Sequence, residues 1–399
     1  MPRFCSGHTS AVAAFVLALS ACSSLLADQP RFSREDIFPP EPTKHNHASC
    51  IVEVENGDLL VAWYRGTGER KADDVQIVGS RLRKGTPLWE PRFLLADTPG
   101  YPDCNPALFA APDHSVWVFW PTIIDHQWRS ALLKYRRAAN GGQTGSPIWE
   151  GPPGMIHVSP TGFGKAMKDA VASLNGEKLA IDETEFNQIR DLADDELHQR
   201  LGWMPRVHPL VLPSGRWLLP LYTDTFSCSL IGISDDQGTT WSFSDPIIGF
   251  GNIQPSLVRK NDGTIVAYMR ENGGRRKIRV SSSKDEGKSW SPVVDSNLPN
   301  PGAGIEAIRL ANGHWAMIYN DTTDSRHSLA LSISEDEGAT WSHTRPVERT
   351  KPGVDSFHYP SIIQTLDGMI HVTYTKRTAE GSTIEHAQFN EDWVRQPQP

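Results

Sequence analysis

The chain has 399 residues, a formal net charge of −8 and 22% charged residues, with no basic run of the kind that tracks a phosphate backbone. A nucleic-acid partner is therefore excluded. The cysteines lack any Cys-x-x-Cys spacing, which argues against a zinc site and a disulfide framework. Beyond Cys22, only Cys50, Cys104 and Cys228 remain, enough for one bridge at most. No metal and no cofactor is expected.

In chain order, residues 1–21 read as an export signal. Arg3 supplies a positive charge, 11–21 is apolar but too short to span a bilayer, and Leu19-Ser20-Ala21-Cys22 resembles a lipoprotein box. Cleavage before Cys22 gives a lipid-anchored protein at the periplasm or cell surface. Cleavage after Ala27 gives a secreted one. The remainder, 22–399, is expected to fold as one unit.

Six turn signals then recur between β-rich runs: Asn56-Gly57, Pro112-Asp113, Pro213-Ser214-Gly215, Asp262-Gly263, Asn312-Gly313 and Asp367-Gly368. Each precedes a strand-like segment, at 59–64, 116–120, 217–222, 265–269, 315–319 and 370–374. A second repeat, Ser-x-Asp-x-Gly-x-Thr/Ser-Trp, runs over 234–241, 283–290 and 334–341, its tryptophans 49 and 51 residues apart. Its aspartate accepts from nearby backbone N–H groups, its glycine supplies a positive φ, and its tryptophan buries apolar surface between sheets. Trp89 and Trp149 mark degenerate copies. Short strands at a period near fifty predict an all-β, six-bladed β-propeller of four-stranded antiparallel blades.

Between the second and third blades, 162–201 interrupts the pattern with a helical insertion. Asp182 with Glu185 resembles a capping box, and Phe186, Ile189, Leu192 and Leu197 form an apolar stripe, which predicts a packing element.

Let the strands of a blade be A to D from the axis outwards. The A–B turns and the repeated tryptophan turns then share one face. The starts of A, the ends of B and the B–C loops share the other. That second face collects His47, Arg65, Glu69, Asp73 and Asp74 from blade one, Asn105 from blade two and His208 from blade three. Blades four to six add Gln254, Arg270, Glu306, Arg326, Tyr359 and Lys376. Arginines with carboxylates and a tyrosine suit an anionic, hydroxyl-rich ligand, because guanidinium binds carboxylate as a fork.

The three Asp-box turns, the Tyr-Met-Arg ending at Arg270, the Arg326 loop before Leu329-Ala330-Leu331-Ser332 and the His358-Tyr359-Pro360-Ser361 segment resemble the sialidase (neuraminidase) superfamily. The resemblance runs from about His47 to Val394. It implies that Arg270 and Arg326 clamp a substrate carboxylate, that Tyr359 is a nucleophile and that Asp74, or Asp73 beside it, is the acid/base. Arg65 matches a further arginine found just before that loop. His47 stands where the family carries a clamp arginine, and Gln254 where it carries the glutamate that assists the tyrosine. Glu306 and Glu69 are the candidate bases in its stead, and His208 and Asn105 are candidate substrate contacts.

Three function classes follow. The first is an exo-glycoside hydrolase acting on a terminal acidic sugar of a glycan through Tyr359. The second is a polysaccharide lyase acting on a uronic acid, with His47, His208 or Tyr359 moving protons. The third is a non-catalytic carbohydrate-binding propeller.

Overall fold

The computed structural model describes residues 1–2, 29–173 and 183–396. The expected export signal, Cys22, Ala27 and Asp182 of the expected capping box lie outside the described residues. Among the described residues, no helix is long and apolar enough to cross a membrane.

Six antiparallel sheets follow one another along the chain, each with a four-strand path. Blade one is His45–Glu53, Leu59–Gly66, Gln76–Leu82 and Phe93–Ala96, and blade two is Ala107–Ala110, Val116–Ile123, Ala131–Ala138 and Gly154–Met155. Blade three splits its inner strand into Met204–Pro205 and Leu210–Val211, both paired with Trp217–Thr223, followed by Cys228–Ser234 and Ser242–Phe243. Blade four runs Asn252–Arg259, Ile265–Glu271, Lys277–Ser283 and Val294–Pro299, and blade five Glu306–Arg309, Trp315–Tyr319, Ser328–Ser334 and His343–Arg349. The strands expected after the six turn signals are the B strands, and all six form.

Blade six holds Ser356–Gln364, Ile370–Thr378 and Gly381–Phe389, and takes its outermost strand from Phe32–Asp36 near the other end of the chain. That pairing closes the ring by joining the two ends of the propeller in one blade. Arg34 reinforces it through ion pairs with Glu348 and Glu385.

The Asp-box turns repeat one geometry. Asp236 accepts from Ser234 Oγ at 2.9 Å, Thr240 N at 2.8 Å and Thr240 Oγ1 at 2.6 Å. Asp285 and Asp336 repeat the set with their own serine and threonine donors. Gly238 at φ +85° makes the reversal, as Gly287 and Gly338 do in their turns. Arg216 of an A–B turn forks onto Asp235 beside an Asp box, so both kinds of turn share one face. Trp89 and Trp149 make the corresponding bridges to Leu82 and Ala138 in blades one and two.

The insertion forms helices Phe163–Ser173, Glu183–Leu192 and Glu196–Arg200. Phe163 packs on Phe226 and Trp203 with ring centroids 4.8 and 5.7 Å apart, and Phe186 lies 5.0 Å from Phe250. It is thus tied to the loops of blades three and four. Leu197 departs from the expected stripe and is exposed. The helix breaks after Leu192, and Asp195 caps a new turn by accepting from Leu197 N and His198 N, which resets the helical phase.

Candidate active site

A recurring irregularity of the inner strands builds the site. The A–B register slips between His47 and Cys50, between Ile253 and Pro255, and between His358 and Ser361. Within these bulges Ala48, Gln254 and Tyr359 take φ of +58°, +54° and +48°, and Asn105 takes +43° just before the inner strand of blade two. Non-glycine residues held there cost about 1–3 kcal/mol each, and bulges of this kind re-aim side chains. Proline follows three of the four, as Pro106, Pro255 and Pro360. Lacking an N–H, it fits where the ladder bond is lost.

Tyr359 is the centre of the group. Its phenolic oxygen accepts from Arg270 Nη1 at 3.0 Å and from Gln254 Nε2 at 3.2 Å. The guanidinium carbons of Arg206, Arg326 and Arg270 lie 4.8, 5.8 and 6.0 Å from its ring centroid. His47 packs on the ring at 4.6 Å. Gly304 lies against the same ring, and a Cβ there would come within 2.7 Å of Tyr359 Cδ1. The glycine is needed for space.

The arginines are held by neutral groups. Arg326 donates to His358 Nδ1 and to the Gly302 carbonyl, both at 2.6 Å. Arg270 also donates to Asn272 Oδ1 at 3.1 Å, and Arg206 to the carbonyls of Ser49 and Pro360 at 3.1 and 3.2 Å. Burial and the neighbouring Arg270 pull Arg326 down to about 10, so it stays a cation at neutral pH. Burial, then Arg326 and Arg377, hold His358 well below the usual histidine range, and burial with Arg377 does the same for His47. Both imidazoles are neutral.

Two carboxyl groups act on this cluster. Glu69 accepts from Tyr64 Oη at 2.7 Å and pairs with Arg70 at 3.2 Å. Asp224, from the B–C loop of blade three, is raised by burial, against the opposing pull of Arg270 and Arg70. Burial lowers Arg270, but Tyr359, Asp224 and Tyr222 outweigh it. Asn105 joins through its Nδ2, 3.3 Å from Tyr222 Oη.

Other expected site residues have partners of their own. Glu306 sits deeper along the axis, where its carboxylate takes His208 Nδ1 at 2.6 Å, His208 N at 3.1 Å and Ile362 N at 2.9 Å. It is spent on an internal ion pair, and His208 completes that bond set on the Ile51 carbonyl at 2.7 Å. Arg65 forks onto Glu41 at 2.9 and 3.0 Å. Asp74 accepts from Thr67 N and Oγ1 and pairs with Lys44, while Asp73 pairs with His126 at 2.6 Å. Neither aspartate reaches Tyr359, Arg270 or Arg326 in a hydrogen bond or ion pair. Lys376 points away, to Glu385 at 2.7 Å, and it is the next residue, Arg377, that turns inward to His45 Nε2 at 3.0 Å.

His45, His47 and Glu69 place potential ligand atoms within 4.8 Å of one another. Those groups already hold Arg377, Tyr64, Thr375 and Arg70. A dication there would face the guanidinium groups of Arg70 and Arg377, an arrangement that favours anions. Cys50, Cys104 and Cys228 are free, buried thiols.

Sequence comparison matches residues 155–372, more than half of the chain, to the BNR repeat-like domain family. The anhydrosialidase of Macrobdella decora is 24% identical over 183 residues, 41% of this chain and 23% of its own length. The chain thus matches under a quarter of that relative. Among solved structures, a protein of unknown function from Dyadobacter fermentans superposes with a TM-score of 0.66 at 16% identity, over 90% of this chain and 99% of its own. A leech intramolecular trans-sialidase, complexed with 2,7-anhydro-Neu5Ac, gives 0.66 at 13% identity over 91% of this chain and 71% of its own.

Proposed function

The chain belongs to the BNR repeat-like domain family, within the sialidase-superfamily propellers, and from that premise we propose that it is an exo-glycoside hydrolase acting on a terminal acidic sugar. The observation that carries this reading is the Tyr359 oxygen, held by Arg270 and Gln254 among guanidinium groups that have no ion pair with a carboxylate among the described residues. Arg270 and Arg326 bind the sugar carboxylate. That places the anomeric carbon at Tyr359, whose oxygen forms a bond to it as the bond to the leaving oxygen breaks.

Gln254 is no proton acceptor. The Tyr359 proton passes instead to Asp224, whose field already acts on Arg270 and Tyr222, and whose burial makes it a stronger base than an ordinary aspartate. Glu69, on the blade-one side, protonates the leaving oxygen and then draws a proton from the water that releases the sugar. The acid/base role moves from Asp74 to Glu69 because the Glu69 charge acts on Arg326 and Asp224 beside Tyr359, while Asp74 acts on its own loop through Thr67 and on Lys44. An export signal over 1–21 suits a glycan substrate outside the cell, and Cys22→Ala abolishing lipid labelling would test the anchor.

One observation favours a lyase, namely the neutral His47 packed on Tyr359, a pair able to take and return a proton. A panel of sialyl- and uronate-terminated oligosaccharides separates these readings. A hydrolase releases reducing sugar without an unsaturated chromophore, and a lyase yields an ultraviolet-absorbing uronate. Binding without turnover leaves a carbohydrate-binding propeller.

A further inference from the structure

Arg206, Arg270, Arg326 and Arg377 act on one pocket, and among the described residues none has an ion pair with a carboxylate. Buried or half-buried cations without counter-ions are costly, and a bound anion is the natural compensation. Arg206 is tied beneath the Tyr359 ring by two backbone carbonyls, so its charge supports the ring from below. The other three stand on consecutive blades.

Arg377 is the one that no motif marks. It lies near the end of the B strand of blade six, opposite Ser356. Successive strand residues point to opposite faces. Lys376 is therefore spent on Glu385, while Arg377 reaches across the blade-six/blade-one seam to His45 Nε2 at 3.0 Å. Its charge acts on His45, His47, His358 and Arg326, which places it among the groups around Tyr359. His47 of blade one packs on the Tyr359 ring as a neutral imidazole and bonds Thr375 Oγ1 at 3.0 Å. Arg65 and Arg70 of blade one are paired with Glu41 and Glu69, whereas Arg377 of blade six has no ion pair among the described residues.

We infer that Arg377 completes an anion clamp with Arg270 and Arg326 across three consecutive blades. This rests on the reading of the pocket as an acidic-sugar site. The imidazole of His45 is a neutral resting partner, and a carboxylate is the stronger acceptor, so the ligand displaces it. With the clamp on blades four to six, the sugar carboxylate lies on that side and the glycosidic oxygen faces Glu69 of blade one.

The test titrates the full-length protein with the methyl α-glycosides of N-acetylneuraminic acid and glucuronic acid, and with the methyl ester of each. Wild type is expected to prefer one acid over its ester, and Arg326→Gln to lose that preference. Arg377→Gln should lower the acid-over-ester preference about tenfold, as expected for one charge-assisted hydrogen bond. Ester affinity should stay within about twofold, because only the contact to the charge is removed. Arg377→Lys should keep part of the preference, which a purely structural role would not predict. If Arg377→Gln keeps the full preference while Arg326→Gln loses it, the inference fails and the acidic-sugar reading stands. If wild type prefers neither acid over its ester, both fail.

Discussion

The two faces of the propeller use charge in opposite ways. On the turn face, Asp236, Asp285 and Asp336 each sit among donors from their own turns. Burial pushes Asp285 up, yet its serine donors bring it down to about 2, and the Thr340 donors bring Asp336 to about 2. On the pocket face, the hydrogen-bond partners of Arg270, Arg326 and Arg377 among the described residues are a phenol, an amide, imidazoles and a carbonyl. A charge satisfied within its own loop holds the loop. Several like charges that converge with no ion pair among the described residues suit a bound anion.

Substitutions on the pocket face should be the most damaging to function. Tyr359→Phe removes the reacting oxygen and should cut turnover by at least about a thousandfold, with ligand affinity by calorimetry little changed. Equal loss of both would show that Tyr359 only shapes the pocket. Glu69→Gln should follow, with roughly a hundredfold to ten-thousandfold loss of kcat, while Asp74→Asn costs no more than a few-fold. The reverse order would return the acid/base role to the Asp74 loop. Arg270→Gln or Arg326→Gln removes a charge-assisted hydrogen bond of about 1.5–3 kcal/mol and should weaken binding of the acidic ligand by about one to two decades. At the bottom of the scale, Asp285→Ala should lower the melting temperature and leave turnover per folded molecule unchanged. A drop in kcat there would break the division between the faces.

The same division explains what is legible in the sequence. The B strands, the Asp boxes and the six-fold count rest on local turn chemistry, and the structure keeps all of them. Phe32–Asp36 carries no such signal. All five of its residues are exposed, and it pairs with Gly381–Phe389 at the far end of the chain. Tyr359, Arg270 and Arg326 come together as their motifs imply. Errors of one position are errors of parity: Lys376 and Arg377 are neighbours, but only one faces the pocket. Depth along the axis is equally hidden. Nothing local tells that Glu306 and His208, on different blades, meet each other below Tyr359. The bulges did leave a trace, in the prolines after Asn105, Gln254 and Tyr359. Asp224 falls on the pocket face by its place in the B–C loop of blade three, but its closeness to Arg270 of the next blade has no local signal.

The most direct test of the central claim is to look for the covalent intermediate. The protein would be incubated with a fluorinated glycosyl fluoride of the acidic sugar that the oligosaccharide panel identifies, then digested and mapped by mass spectrometry. One sugar adduct is expected on the peptide carrying Tyr359, absent from the Tyr359→Phe protein. An adduct on Glu69 or Asp224, with Tyr359 unmodified, would contradict it.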